Sequence, residues 1–289
     1  MPNDVISEEQ LELSVQAYPA ALRGAAAGLL LASGLAVLGI LARALLAEPA
    51  LTASAALRAF LAVSALPALA AWLVGRALRA RVRVDGDRLA VQVGGQDHDV
   101  PLAAIVDVEP WRLPLPRPGL VLRLDSGQRF ALGIAAPDPS PLVARLADAG
   151  VPHAARALAH PTLVYGRVKH AAGQLGWRRL LAKFPLFAAL VAGVVFNAHQ
   201  QVAYGGTLGQ YELEGAVPYV WSFLGYWAAV SVSLVFYATV WRWPAELVAL
   251  LAARWGEPPA SRVRRSVELI CRIAYYAGVP ALLALRFAQ

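Results

Sequence analysis

Long apolar runs constrain this fold more than any other feature of the sequence. The first run, GAAAGLLLASGLAVLGILARALLA at residues 24–47, is long enough as a helix to span a bilayer core of about 30 Å. A second run at about 56–78 completes a transmembrane hairpin over 24–78. Hydrophobic residues make up 58% of the chain and charged residues only 16%, below the usual quarter or so of a soluble domain. The sequence therefore predicts a helical membrane protein.

The C-terminal part of the chain, 184–289, repeats this pattern. Apolar runs at 184–203 and 218–241 predict two more membrane helices, and 245–256 is expected to continue the second of them as a kinked helix. A final apolar helix is expected at 266–287, and the sequence leaves open whether it crosses the membrane. We therefore expect two or three membrane helices in this region and about five in the chain.

Between the two apolar regions, residues 79–150 have the composition of a soluble module. The stretch RALRARVRVDGDRLAVQV alternates polar and apolar residues, which is the period of half-buried strands. Asp-Gly, Gly-Gly and Asp-Ser-Gly turns separate further strands, because glycine accepts the positive φ that such turns require. The segment DPSPLVARLADAG predicts a closing helix, capped by Ser140 and ended by Gly150.

The order of these elements is similar to that of a known family. VDGDRLAV, then VPLAAIVDVE, then GLVLRLDSGQRFALG and a capped helix resembles the bacterial pleckstrin-homology-like (PH-like) domain, over about 70 of the 289 residues. The resemblance implies a partial β-barrel capped by one helix, and no enzyme activity. Classical eukaryotic members bind phosphoinositides, but the sequence shows no matching basic pocket, so that ligand is not expected here.

Two flanking segments complete the predicted organisation. Residues 1–23 are expected to form an N-terminal amphipathic segment, with a helix over 7–17 whose start is marked by Ser7 and Gln10 as a capping box. Residues 151–183 carry many Lys and Arg residues and are expected to form a basic, solvated connector between the module and the C-terminal helices.

The distribution of basic residues predicts an orientation. Lys and Arg are concentrated at 76–83, 151–183 and 262–265, whereas the loop 204–216 contains neither. Because basic residues prefer cytoplasmic loops, we expect a multi-pass protein of the bacterial inner membrane with its N-terminus and residues 79–183 in the cytoplasm. The net charge of +7 then suits contact between the basic residues and anionic lipid headgroups. Nucleic acid is not an expected partner.

The most unusual polar cluster is FNAHQQ at 196–201, at the outer end of the third predicted span. Asn197, His199, Gln200 and Gln201 are candidates for an edge that contacts a partner or substrate. The alternative is that these side chains hydrogen bond to water and to the glycine-containing loop that follows.

Few other residues have the spacing of a chemical site. Glu268 and Arg272 are placed i, i+4 for a helix salt bridge. His153 and His160 lack the carboxylates of a metal site, and Cys271, the only cysteine, is expected to pack as a small apolar residue. The sequence has no phosphate-binding loop, dinucleotide fingerprint or nucleophile elbow, so we expect no cofactor.

These observations favour a non-catalytic membrane scaffold, assembly or regulatory subunit. Its expected partners are membrane lipids and a protein bound by the PH-like module. A transporter or transporter accessory subunit is the alternative, although the predicted spans lack buried acids. An intramembrane enzyme that uses the FNAHQQ edge is a third hypothesis.

Overall fold

The computed structural model describes residues 11–46, 53–173 and 182–287. It is about 66% helical and contains a separate antiparallel sheet of seven strands curled into a half-barrel. The chain divides into two compact units. One unit includes the sheet and residues 245–270, and the other includes residues 182–244. The predicted combination of long helices and one β-module is confirmed.

The sheet is entirely antiparallel, with the order β4-β3-β2-β1-β7-β6-β5. Its strands are β1 (Leu11–Pro19), β2 (Arg79–Asp85), β3 (Arg88–Val93), β4 (Gln96–Pro101), β5 (Ile105–Pro110), β6 (Gly119–Leu124) and β7 (Leu132–Ala135). Burial alternates along β2, where valines face the core and arginines face outward. The predicted turn glycines have positive φ, as at Gly86 (54°) and Gly127 (78°).

The N-terminal helix predicted over 7–17 is wrong in its described part, because residues 11–19 form strand β1. This strand lies in the middle of the sheet and pairs with both β2 and β7. Val15 and Ala17 are buried, whereas Glu12 and Ser14 are exposed, so burial alternates with the two-residue period of a strand. The sequence pattern fits a short helix equally well. Pairing with β2 and β7, which lie far away in the sequence, makes this segment a strand.

Helix α4 (Ser140–Asp148) packs into the core of the half-barrel. Leu142, Val143 and Leu146 of α4 are buried with the inward side chains of the strands. The predicted cap at Ser140 is wrong, because Ser140 is the first residue of the helix. Its backbone N–H donates to the carboxylate of Asp138 at 2.9 Å.

The prediction of a solvated connector over 151–183 is wrong for its first part. Helix α5 (Ala154–Ala157) contributes to the half-barrel core, and helix α6 (Pro161–Ala171) buries one whole face. The high content of basic residues concealed an apolar face that includes Leu163 and Val164. Residues 174–181 of the predicted connector lie outside the described part of the chain.

Four described helices or helix pairs are long and apolar enough to cross a membrane. They comprise α1 (Ala20–Leu46), α2 (Ala53–Phe60) with α3 (Leu66–Ala77), α7 (Phe187–Tyr204) and α9 (Ala216–Ala252). A π-helical stretch at Leu61–Ala65 joins α2 to α3 just before Pro67, where a proline perturbs the helical hydrogen bonds. A short helix, α8 (Gly209–Glu214), connects α7 to α9.

The single apolar helix expected at 266–287 is wrong. The structure has helix α10 (Glu257–Tyr276) and, after a break at Ala277, helix α11 (Gly278–Phe287). Pro280 explains the break, because it lacks the N–H that would continue the helix and its ring crowds the carbonyl four residues earlier. Helix α10 is amphipathic and strongly charged, and neither helix is among the four candidate spans in the described chain.

Candidate functional site

The first apolar helical hairpin is inserted directly between two neighbouring strands of the sheet. Strand β1 ends at Pro19 and α1 begins at Ala20, while α3 ends at Ala77 and β2 begins at Arg79. The backbone N–H of Ala17 donates to the carbonyl of Leu78 at 2.9 Å. The helices therefore join the sheet without a flexible linker at either connection.

Close packing at Gly75 strengthens this connection. The amide of Gln16 donates to the Gly75 carbonyl at 2.7 Å, and the Tyr18 hydroxyl donates to the Gln16 side-chain oxygen at 3.2 Å. A Cβ at Gly75 would come within 2.7 Å of the Tyr18 hydroxyl oxygen. Burial raises the pKa of Tyr18, although nearby Arg117 opposes the shift, so its hydroxyl stays a donor at neutral pH.

Trp111 also lies at this connection, and no local sequence pattern indicated it. It is buried and meets Tyr18 edge to face at 6.3 Å between ring centroids. The guanidinium of Arg23 in α1 lies 4.5 Å from the Trp111 ring centroid. Gly119 and Gly133 leave room for the ring, since a Cβ at either would come within 3.0 Å of it.

A cleft of about 730 Å³ opens beside this connection, on the face of the sheet opposite the core. We call it the arginine cleft, after Arg76, Arg79, Arg81 and Arg117 in its lining. The remaining lining residues are small, polar or aromatic: Ser14, Val15, Gln16, Trp72, Ala80, Gln92, Gly94, Gly95 and Pro137. Sequence spacing did not indicate this cleft, because Arg117 comes from a loop that is distant from β2 in the sequence. That the module lacks the phosphoinositide pocket of classical PH domains stays a prediction.

The predicted FNAHQQ edge lies at the end of α7, and its residues have different surroundings. Gln200 is fully buried, and its side chain both donates to the Gln210 side chain at 2.9 Å and accepts from the Gln210 backbone N–H at 3.2 Å. Gln210 also donates to Glu214 and Ser222, at 2.8 and 3.0 Å. Gln200 thus closes the loop within the chain, as in the alternative reading of this cluster.

The other three residues of the cluster remain accessible. Asn197 is exposed, and exposed Gln201 donates to Thr207 at 3.0 Å. The ring of His199 lies 5.4 Å from that of Tyr226 and 6.2 Å from that of Tyr204. A role of these exposed side chains in partner or substrate contact stays a prediction.

A second concentration of charge, the Glu246 cluster, consists of Tyr165, Lys169, Glu246, Arg264 and Glu268. Arg264 is only 4% exposed and pairs with Glu246 and Glu268, at 2.9 Å each. Lys169 lies 3.3 Å from the same Glu246 oxygen, which also accepts the Tyr165 hydroxyl. Among the described residues, two cations therefore meet two carboxylates. Glu268 thus pairs with the residue one turn before it, and its predicted pairing with Arg272 stays a prediction.

Of the two histidines considered for a metal site, His160 has a structural role. His160 caps α6, with Nδ1 accepting the Thr162 N–H at 3.3 Å, and burial lowers the pKa of this histidine. His153 adopts a left-handed backbone conformation with φ 59°. No group of three or more potential metal ligands was found among the described residues.

The comparisons with known proteins leave the family open. No protein-family model, no curated protein and no solved structure matches this chain.

Proposed function

We propose that the chain is a non-catalytic integral protein of the bacterial inner membrane that acts as a scaffold, assembly or regulatory subunit. Its PH-like module faces the cytoplasm and binds a protein partner. The observation that carries this proposal is the insertion of the first hairpin between β1 and β2. A module attached through two central strands presents its surfaces in a fixed orientation, which suits assembly of a complex.

The exposed edge strand β4 is the surface that we assign to the partner. Among the described strands it pairs only with β3, and five of its six residues are exposed. Asp97 and Asp99 on this edge disfavour pairing between two copies of the strand and favour a basic strand from a partner. The opposite edge, β5, is less suitable because its register is irregular between Ile105 and Asp107.

Purification from native membranes in mild detergent tests this function. The wild-type chain should recover a specific protein at fixed stoichiometry, and Asp97→Lys with Asp99→Lys should lose it at equal membrane levels. Asp125→Lys with Asp148→Lys changes the charge equally at two exposed sites elsewhere on the module and should retain the partner. Recovery of the chain alone, together with substrate flux or turnover after reconstitution, would contradict the proposal.

Thiol labelling tests the cytoplasmic placement separately. Asp125 lies in an exposed turn, so Asp125→Cys in a Cys271→Ser background is accessible to reagents. A membrane-impermeant maleimide should label it only after lysis of the cells. Labelling in intact cells would reverse the assigned topology.

A further inference from the structure

We infer that the arginine cleft binds a phosphate-bearing anion, either the headgroup of an anionic lipid or a soluble phosphorylated molecule. This inference does not rest on the scaffold function, because it concerns a different surface from β4. It follows from the charge, the shape and the position of the cleft.

The cleft has a large excess of positive charge. Four guanidinium groups line it, and none of the lining residues that the structure describes is acidic. Exposed Glu12 lies 3.4 Å from Arg81 but also 3.8 Å from Arg83, which is outside the cleft lining. Among the described residues, neither Arg79 nor Arg117 has an ion-pair partner. An anion would remove the mutual repulsion of these cations.

Arginine also has the geometry that phosphate requires. The planar guanidinium presents a fixed fork of donors that binds two phosphate oxygens at once. Arg81 lies opposite Ser14 on the neighbouring strand and Arg79 lies opposite Gln16, so hydroxyl and amide groups stand beside the guanidiniums. These neutral groups add hydrogen-bonding capacity without adding charge.

Rigid parts of the fold hold the walls of the cleft. Arg79 and Arg81 project from the centre of the sheet, and Gln16 is held by its hydrogen bond to the Gly75 carbonyl. Arg76 lies 5.6 Å from the ring centroid of Trp72, one turn earlier in α3. A volume of about 730 Å³ is within the usual range of small-molecule sites.

The position of the cleft makes a lipid headgroup one source of the phosphate. Trp72 and Arg76 belong to the last turns of a candidate membrane span that ends at Ala77. Lipid phosphates lie where membrane helices emerge from the apolar core, and Trp and Arg are enriched at that depth. The cleft is open to solvent beyond the helix, where a soluble phosphorylated molecule is the other source.

The test uses the full chain in nanodiscs and two phosphate probes. The first arm adds phosphatidylglycerol to phosphatidylcholine nanodiscs and counts retained anionic lipids by native mass spectrometry. The second arm titrates inorganic pyrophosphate into pure phosphatidylcholine nanodiscs and measures its Kd by calorimetry. Specific binding in the first arm identifies a lipid source, and specific binding in the second identifies a soluble source.

Paired arginine variants separate the cleft from general charge. Arg79→Gln with Arg117→Gln should weaken binding by about tenfold or more, because two charge-assisted contacts are lost. Arg88→Gln with Arg156→Gln removes the same charge from exposed positions outside the lining and should bind like the wild type. Arg79→Lys with Arg117→Lys keeps the charge without the fork, and we expect it to bind more weakly than the wild type.

Two results would overturn the inference. One is that the wild-type chain retains no phosphatidylglycerol and binds no pyrophosphate. The other is that the cleft pair and the control pair weaken binding equally, which would show a general charge effect. If the Gln pair does not yield a monodisperse protein, the Lys pair decides, and wild-type affinity in that pair would then count against the cleft.

Discussion

The arginine cleft and the Glu246 cluster both contain arginine side chains, but their electrostatic arrangements are opposite. In the Glu246 cluster, Arg264 is almost fully buried between two carboxylates. In the arginine cleft, Arg79 and Arg117 are exposed and lack such partners among the described residues. The comparison teaches that a basic segment beside an apolar helix can be structural or available for binding, and that burial and pairing distinguish the two.

The largest effect expected from this comparison is at Arg264. Arg264→Met should lower the free energy of unfolding by about 3 kcal/mol, because it leaves two partly buried carboxylates without their shared cation. Denaturant unfolding of the full chain in detergent measures the change. The neighbouring exposed Arg265→Met is the control and should change stability by less than about 0.5 kcal/mol. Equal effects at both positions would remove the distinction between them.

The next effect concerns the packing that supports the arginine cleft. Gly75→Val should lower the free energy of unfolding by about 2 kcal/mol, because the valine side chain would displace Tyr18 and Gln16 from the end of α3. Gly28→Val in α1 is the matched control, since a Cβ there meets no atom within 4 Å. Unfolding under the same conditions compares the two. If Gly75→Val leaves the free energy of unfolding unchanged, this contact does not hold the cleft wall.

A smaller effect is expected at His160, an ionisable group whose neutral form is structural. Burial lowers the pKa of His160 in the folded chain, so the unfolded chain binds a proton more readily. The contribution of His160 to stability is therefore present above the unfolded pKa of 6.5 and decreases as the pH falls through the folded pKa. His160→Asn keeps a capping side chain without this titration. As the pH falls from 7.5, the free energy of unfolding of this variant should change less than that of the wild type. Identical pH profiles for the two proteins would contradict the role of neutral His160.

The smallest effect on stability is expected in the arginine cleft itself. Arg79→Gln with Arg117→Gln should change the free energy of unfolding by less than about 0.5 kcal/mol, because these exposed side chains form no ion pair with the described residues. The measurement uses phosphatidylcholine nanodiscs, so that no anionic lipid stabilises the wild type by binding. A loss comparable with that of Arg264→Met would show that these arginines hold the fold together.

Prediction from sequence succeeded where the signal is local. Apolar length located the four candidate spans, and the DGD, GG and DSG turns marked strand ends because glycine conformation is a local property. Prediction failed at β1, whose two partner strands lie far away in the sequence. The sequence left two alternatives open for Gln200, because the burial of an amide depends on Gln210 across the loop.

By itself, the sequence determined that this chain has long apolar helices, one β-module and an excess of basic residues. Composition and hydrophobic periodicity depend only on residues that are close together in the sequence. Only the tertiary structure decided which arginines are paired. Glu246 and Glu268 neutralise Arg264 because three helices bring these groups together with Lys169. Arg117 joins Arg79 and Arg81 because the sheet brings a distant loop beside β2. Coulomb interactions depend on separation in space, which sequence distance does not report.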